Sequence, residues 1–116
     1  MLERGVHLAF GTDYPVEPAN PMRGLYACVT RELPEGSPPG GWQPQEKISL
    51  DECVHAYTVG SAYAEFEDGK KGQIAPGQLA DIIVLSADIT KRPPPQLLKT
   101  EVLETFVGGR LVYQKK

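Results

Sequence analysis

The sequence predicts an α/β chain of one domain, and three observations carry that reading. An apolar segment opens the chain and leads through a turn into a helical stretch. A second helical stretch begins at a capping signal near Ser49. The last third alternates apolar residues with Gly- and Pro-rich turns. At 116 residues the chain has room for one domain and not comfortably two. Hydrophobic residues make up 41%, enough for a core, and charged residues 23%, which excludes a disordered chain.

The opening GVHLAF (5–10) is apolar except for His7, so it reads as a strand buried on both faces, the pattern of a parallel sheet. GTDYPVEP follows as a turn. Asn20 and Pro21 start a helix, because Asn accepts free N–H groups and Pro suits the first helical position. Met22, Leu25, Tyr26 and Val29 recur at helical spacing, predicting a helix to about Arg31. Gly24 weakens it by about 1 kcal/mol relative to Ala. Residues 32–47, rich in Pro and Gly, form a loop long enough to suggest a functional or lid-like role, with Trp42 anchoring it.

Ser49 and Glu52 form a capping box. Leu50, Cys53, Val54, Tyr57 and Ser61 then share one helix face, and a shorter piece, about Ala62 to Phe66, continues after Gly60. EDGKKG (67–72) is a turn. A short strand near Ile74, a Pro76-Gly77 turn and a strand over DIIVL come next. Asp88-Ile-Thr is open between loop and strand end. VLETFVGGRLVYQ (102–114) reads as a hairpin turning at Gly108-Gly109.

The net charge of −3 and pI near 5.3 argue against a nucleic-acid partner, which needs a concentrated basic face. No apolar run approaches ~20 residues, so no membrane span is expected. The N-terminus is too short and too acidic for a signal peptide, and a cytoplasmic location is expected. Cys28 and Cys53 lack any zinc spacing. They are read as buried free thiols in a reducing compartment, with a disulfide as the alternative.

Asp13 is the one acid with an active-site address, just past the opening strand, where α/β folds gather functional side chains. There a carboxylate can ligate a metal or take a proton from metal-bound water. Position alone favours the plainer reading, a turn Asp accepting backbone N–H groups. No ligand set accompanies it. His7 is six residues upstream, up to about 20 Å away at roughly 3.3 Å per extended residue. His55 falls about 140° from Leu50 at roughly 100° per residue, on the wet helix side beside Asp51. Phosphate-loop and nucleophile-elbow spacings are absent from the sequence.

Five segments occur in order: GTDYPVEPANP, GLYACVTR, PPGGWQPQEKISLDECVHAYTVGSAYAEFE, KKGQIAPGQLADIIVLSAD and VLETFVGGRLVY. Together they resemble the C-terminal end of the metal-dependent amidohydrolases, in the amide-hydrolase branch of that superfamily. The resemblance implies a (β/α)8 barrel with a composite β-sandwich. Residues 1–66 would be the last strand and helices of the barrel, and 67–116 the C-terminal half of the sandwich. Asp13 would be the acid after the last barrel strand, a metal contact and the acceptor of the hydrolytic water's proton. Pro76-Gly77 and Asp81 would be structural, a turn and an acid tied to neighbouring backbone.

The resemblance also implies a divalent metal, zinc first, and a small-molecule amide as substrate. The family's His-x-His, bridging acid or carboxylated lysine, and two later histidines are not in this sequence. A whole barrel needs on the order of 250 residues. The expectation is therefore a C-terminal fragment of a carbon–nitrogen hydrolase, inactive and metal-free alone. The alternatives are a non-catalytic remnant that oligomerises through exposed strand edges, and one half of a split enzyme.

Overall fold

A computed structural model describes residues 2–116. In chain order it contains helix α1 (Met22–Thr30), helix α2 (Leu50–His55), a wide π turn (Ala56–Gly60), helix α3 (Ser61–Ala64), and strands β1 (Ile82–Leu85), β2 (Val102–Val107) and β3 (Arg110–Gln114). This is a mixed α/β arrangement. Its three-stranded sheet runs β1-β2-β3 and is antiparallel throughout. The chain divides into two compact units. One comprises the residues up to Phe10 with His55–Ala87 and Glu101–Lys116; the other comprises Gly11–Val54 with Asp88–Thr100.

The second of these units holds the large buried side chains. Met22, Leu25 and Tyr26 on α1 are buried, with Cys53 from α2 and Leu97 from the turn Pro94–Lys99, against which α1 packs. The Asn20 side chain accepts from the Met22 N–H at 3.0 Å, as its place before Pro21 predicts. α1 ends where Arg31 turns left-handed, φ 62°. Ser49 and Glu52 form the capping box: the Ser49 N–H donates to Glu52 Oε2 at 2.7 Å, and the Glu52 N–H to Ser49 Oγ at 3.2 Å. The Ser49 hydroxyl, which donates to Glu52 Oε2 at 2.7 Å, and then the Ser49 N–H hold the Glu52 carboxyl below its ordinary pKa.

Cys28 and Cys53 are bonded to each other as a disulfide, which corrects the expectation of free thiols. Helical spacing brought both onto packed faces but said nothing of which faces meet. α1 and α2 present the two sulfurs to each other across a Cα–Cα distance of 6.4 Å. Closing 25 residues of chain stabilises the fold by about 3.5 kcal/mol in the loop-entropy model.

In the other unit the expected opening strand is absent. Residues 6–10 form no regular element and join no sheet, and they are not buried on both faces: Val6 is 46% exposed and His7 is exposed. A strand needs a neighbouring strand to bond with, and none lies beside it among the described residues. The segment docks instead on the π turn. There Ala56 O accepts from the Phe10 N–H at 3.0 Å. The Ser61 hydroxyl lies 2.7 Å from Phe10 O and 3.1 Å from Ala56 O, its single proton shared between them. Gly60 permits the approach, since a Cβ there would sit 2.0 Å from Leu8 O.

The hairpin is as read. β2 and β3 pair through Val107 opposite Arg110, with Gly108 and Gly109 both left-handed in the turn. The Asp81 carboxylate accepts from the Gly108 N–H at 2.7 Å, so it ties the turn to the start of β1. The strand expected near Ile74 does not form. That stretch is a bend, with Ile74 87% exposed and the Pro76-Gly77 turn immediately after it. The sheet carries exposed Ile83, Leu103, Val107, Leu111, Val112 and Tyr113.

Asp88, open between loop and strand, caps a short 3-10 turn (Ile89–Lys91). Its carboxylate accepts from the Thr90 N–H at 3.0 Å and hydroxyl at 2.6 Å, and from Lys91 Nζ at 2.8 Å.

Two outcomes test this account. Gly60→Ala drives a methyl into Leu8 O; it should cost about 2 kcal/mol in denaturant unfolding and strip the Phe10 amide of exchange protection. The three donors around Asp88, led by Lys91, pull its carboxyl from 3.8 to about 2. A depressed acid stabilises the fold fully above its unfolded pKa and loses that effect as pH falls. NMR titration should therefore place the Asp88 midpoint near 2, with its share of stability fading between about pH 4 and 2.

Candidate functional site

Asp13 sits in an irregular turn with a left-handed backbone, φ 52°, a conformation that Asp adopts more readily than most residues. Its main-chain carbonyl accepts from the Val16 N–H at 2.8 Å, closing the turn. The side chain is exposed, and its carboxylate has no hydrogen-bond or ion-pair partner among the described residues. The plainer reading, a carboxylate tied to turn N–H groups, does not describe it. The turn is closed by backbone, and the acid is presented outward with its acceptor capacity unused.

The other sequence candidates are engaged elsewhere. His7 stacks on Tyr63, ring centroids 4.3 Å apart and planes 19° from parallel. His55 is exposed, as its wheel position predicted. The cysteines are consumed by their mutual bond. Among the described residues no group of three or more His, Cys, Asp or Glu is gathered closely enough to hold a metal ion.

A cleft of about 350 Å³ opens beside the π turn and β1, lined by Tyr57, Ser61, Glu65, Lys71, Asp81 and Ile83 among others. Several of its polar groups are already engaged. Lys71 pairs with Glu65, which holds the ammonium above its usual pKa. Asp81 holds Gly108, and Ser61 holds Phe10. Burial also pushes the Tyr57 phenol up. No reactive pair converges there.

The 32–47 loop is fastened to the end of α1, though by a route the sequence did not reveal. Trp42 is 59% exposed, so its indole is no buried anchor. Its N–H donates to Arg31 O at 2.8 Å, and Arg31 Nε donates back to Trp42 O at 3.2 Å with the guanidinium over the ring. Glu32 adds a clasp, accepting from the Tyr26 hydroxyl at 3.0 Å and the Gly40 N–H at 2.9 Å. Burial, then Glu32, raises the Tyr26 phenol's pKa. No spacing rule signals a carboxylate that bridges a helix and a loop in this way.

Comparison with known proteins gives these features a context. A family model described as the amidohydrolase family matches residues 1–113. The chain belongs to the amidohydrolase family. It is 32% identical to YtcJ of Bacillus subtilis over 115 residues, 99% of this chain and 22% of that one. It is 30% identical to the N-substituted formamide deformylase of Arthrobacter pascens, over 99% of this chain and 21% of that one. The fold is similar to the crystal structure of an amidohydrolase from Thermotoga maritima MSB8, with a TM-score of 0.69 and 22% identity over 98% of this chain and 24% of that one. The chain thus spans about a fifth of the length of the curated relatives it matches. No helix among the described residues is long and apolar enough to cross a membrane.

Because the Asp13 carboxylate has no protein partner among the described residues, Asp13→Asn should change unfolding free energy by less than about 0.5 kcal/mol. Asn also tolerates the left-handed backbone. Denaturant unfolding checks this; a loss of about 2 kcal/mol would make Asp13 a structural tie of the turn.

Proposed function

We propose that this chain is the C-terminal portion of a metal-dependent hydrolase that cleaves carbon–nitrogen bonds other than peptide bonds, and that it is inactive alone. The observation that carries this is the family match along nearly the whole chain, over about a fifth of the relatives' length. Residues 1–66 are the last strand and helices of a (β/α)8 barrel, and residues 67–116 the C-terminal half of a β-sandwich. The exposed apolar residues of the sheet support a surface that further chain covers. The apolar 6–10 segment, which joins no sheet, supports a strand whose barrel neighbours come from elsewhere.

In this reading Asp13 is the proton acceptor of the site. An exposed carboxylate with free lone pairs, held by a backbone-closed turn, suits that task. Among the described residues Asp13 belongs to no group of three or more His, Cys, Asp or Glu that could hold a metal, so in this reading the metal's further ligands come from more of the chain. The substrate class is a small amide; the formamide deformylase among the relatives is named for one such class.

A second reading is a non-catalytic module that associates through strand edges. It is favoured by β3, exposed at all five positions with one edge unpaired.

Elemental analysis and an N-substituted formamide assay test the first reading. The purified chain should hold well under one divalent metal ion and release no amine above buffer. One tightly bound zinc per chain would overturn it. Sedimentation tests the second: a concentration-dependent dimer supports edge pairing, and a clean monomer contradicts it.

A further inference from the structure

Five aspartates stand in the sequence, and Asp68 alone is followed by glycine. Tyr14, Glu52, Ile82 and Ile89 follow the others, and the one asparagine, Asn20, precedes Pro21. The following residue decides whether a backbone nitrogen can turn back on the carboxyl before it. A glycine has no Cβ to hinder that approach, and a proline has no N–H to give up. The structure sets Asp68-Gly69 at the tip of a turn. The Lys70 N–H donates to Glu67 O at 2.8 Å, and the Lys71 N–H to the same oxygen at 3.1 Å. Asp68 and Gly69 are the two central residues, and both are exposed. The Gly69 N–H and the Asp68 carboxylate have no protein partner among the described residues. A Cβ placed on Gly69 would meet nothing within 4 Å. By contrast, Asp81 holds the Gly108 N–H, and Asp88 holds Thr90 and Lys91.

We propose that Asp68-Gly69 is a self-modification site, at which the main chain cyclises to a succinimide and reopens as isoaspartate. The Gly69 nitrogen attacks the Asp68 side-chain carbonyl carbon, a C–N bond forms, and the nitrogen gives up its proton. The carboxyl hydroxyl leaves with a proton as water, which closes a cyclic imide. Water then adds back to one of the two imide carbonyls. Opening at the side-chain carbonyl restores Asp68. Opening at the main-chain carbonyl breaks the original peptide bond and leaves Gly69 joined through the side chain. No oxidant, reductant or co-reactant other than water takes part. The product keeps the mass of the chain, gains a carbon in the main chain between Glu67 and Lys70, and carries a free α-carboxylate. The added carbon disrupts the closure of the turn onto Glu67 O. The exposed α-carboxylate is the group that an isoaspartyl carboxyl methyltransferase recognises.

The test ages the whole purified chain at neutral pH and body temperature. Isoaspartate is read by methyl transfer from an isoaspartyl methyltransferase and located by fragmenting the labelled peptides. Asp68 should form isoaspartate at least about tenfold faster than Asp13, Asp51, Asp81 or Asp88. A succinimide, lighter by one water, should precede it at the same residue. Because the fold leaves the tip open, the folded chain should isomerise within about threefold of the rate of the chain unfolded in urea. Gly69→Val, whose side chain enters open space, should slow the reaction at least about tenfold. Equal rates at Asp68 and the other aspartates would overturn the proposal. So would native-rate isomerisation of Gly69→Val, or a folded chain more than about threefold slower than the unfolded one. If the Gly69→Val chain does not fold, the comparison among aspartates of the native sequence still decides.

Discussion

Much of this structure turns on a helix that is wound too wide for one turn. At Ala56–Gly60 the helix widens to a π turn, and Ala56 O also accepts from outside the helix. The Phe10 N–H donates to it, Ser61 returns a bond to Phe10 O, and Gly60 lacks the Cβ that would sit 2.0 Å from Leu8 O. Residues 6–10 have no sheet to join, and the half-buried Phe10 still needs partners for its peptide groups. The π turn and Ser61 supply them.

That interaction marks the boundary of what the sequence made legible. Capping chemistry was readable because it is local: Asn20 before α1, Ser49 with Glu52, and the Gly108-Gly109 turn all act within a few residues. β1 and the hairpin were readable from apolar runs between turn residues. The non-local devices were not. A π turn has the same apolar period as the helix it interrupts. The Cys28–Cys53 bond depends on which faces of α1 and α2 meet, and the Glu32 clasp joins Tyr26 to Gly40 through one carboxylate. The opening segment and Ile74 were misread for one shared reason. Apolarity predicts extended chain but cannot supply the pairing partner that makes it a strand.

For the site, the sequence singled out Asp13, and geometry sharpened the reading of it. The turn around it is closed by a main-chain bond from Val16, with no hydrogen bond from the carboxylate among the described residues. This separates presentation from structure, which the sequence position left merged. The same geometry shows how little chemistry surrounds the acid. His7 is stacked on Tyr63, and the cysteines are bonded to each other. The family match covers nearly the whole chain, and the exposed Asp13 carboxylate is one of several acids with no protein partner among the described residues.

The most direct test of the account of this chain as a piece of a larger hydrolase lies in the DNA immediately 5′ of the codon for Met1. The account predicts that the reading frame continues upstream and encodes, some hundreds of residues earlier, a His-x-His on an apolar strand. An in-frame stop codon just before Met1, with no such coding sequence behind it, would contradict it and leave the chain a remnant without the rest of its barrel.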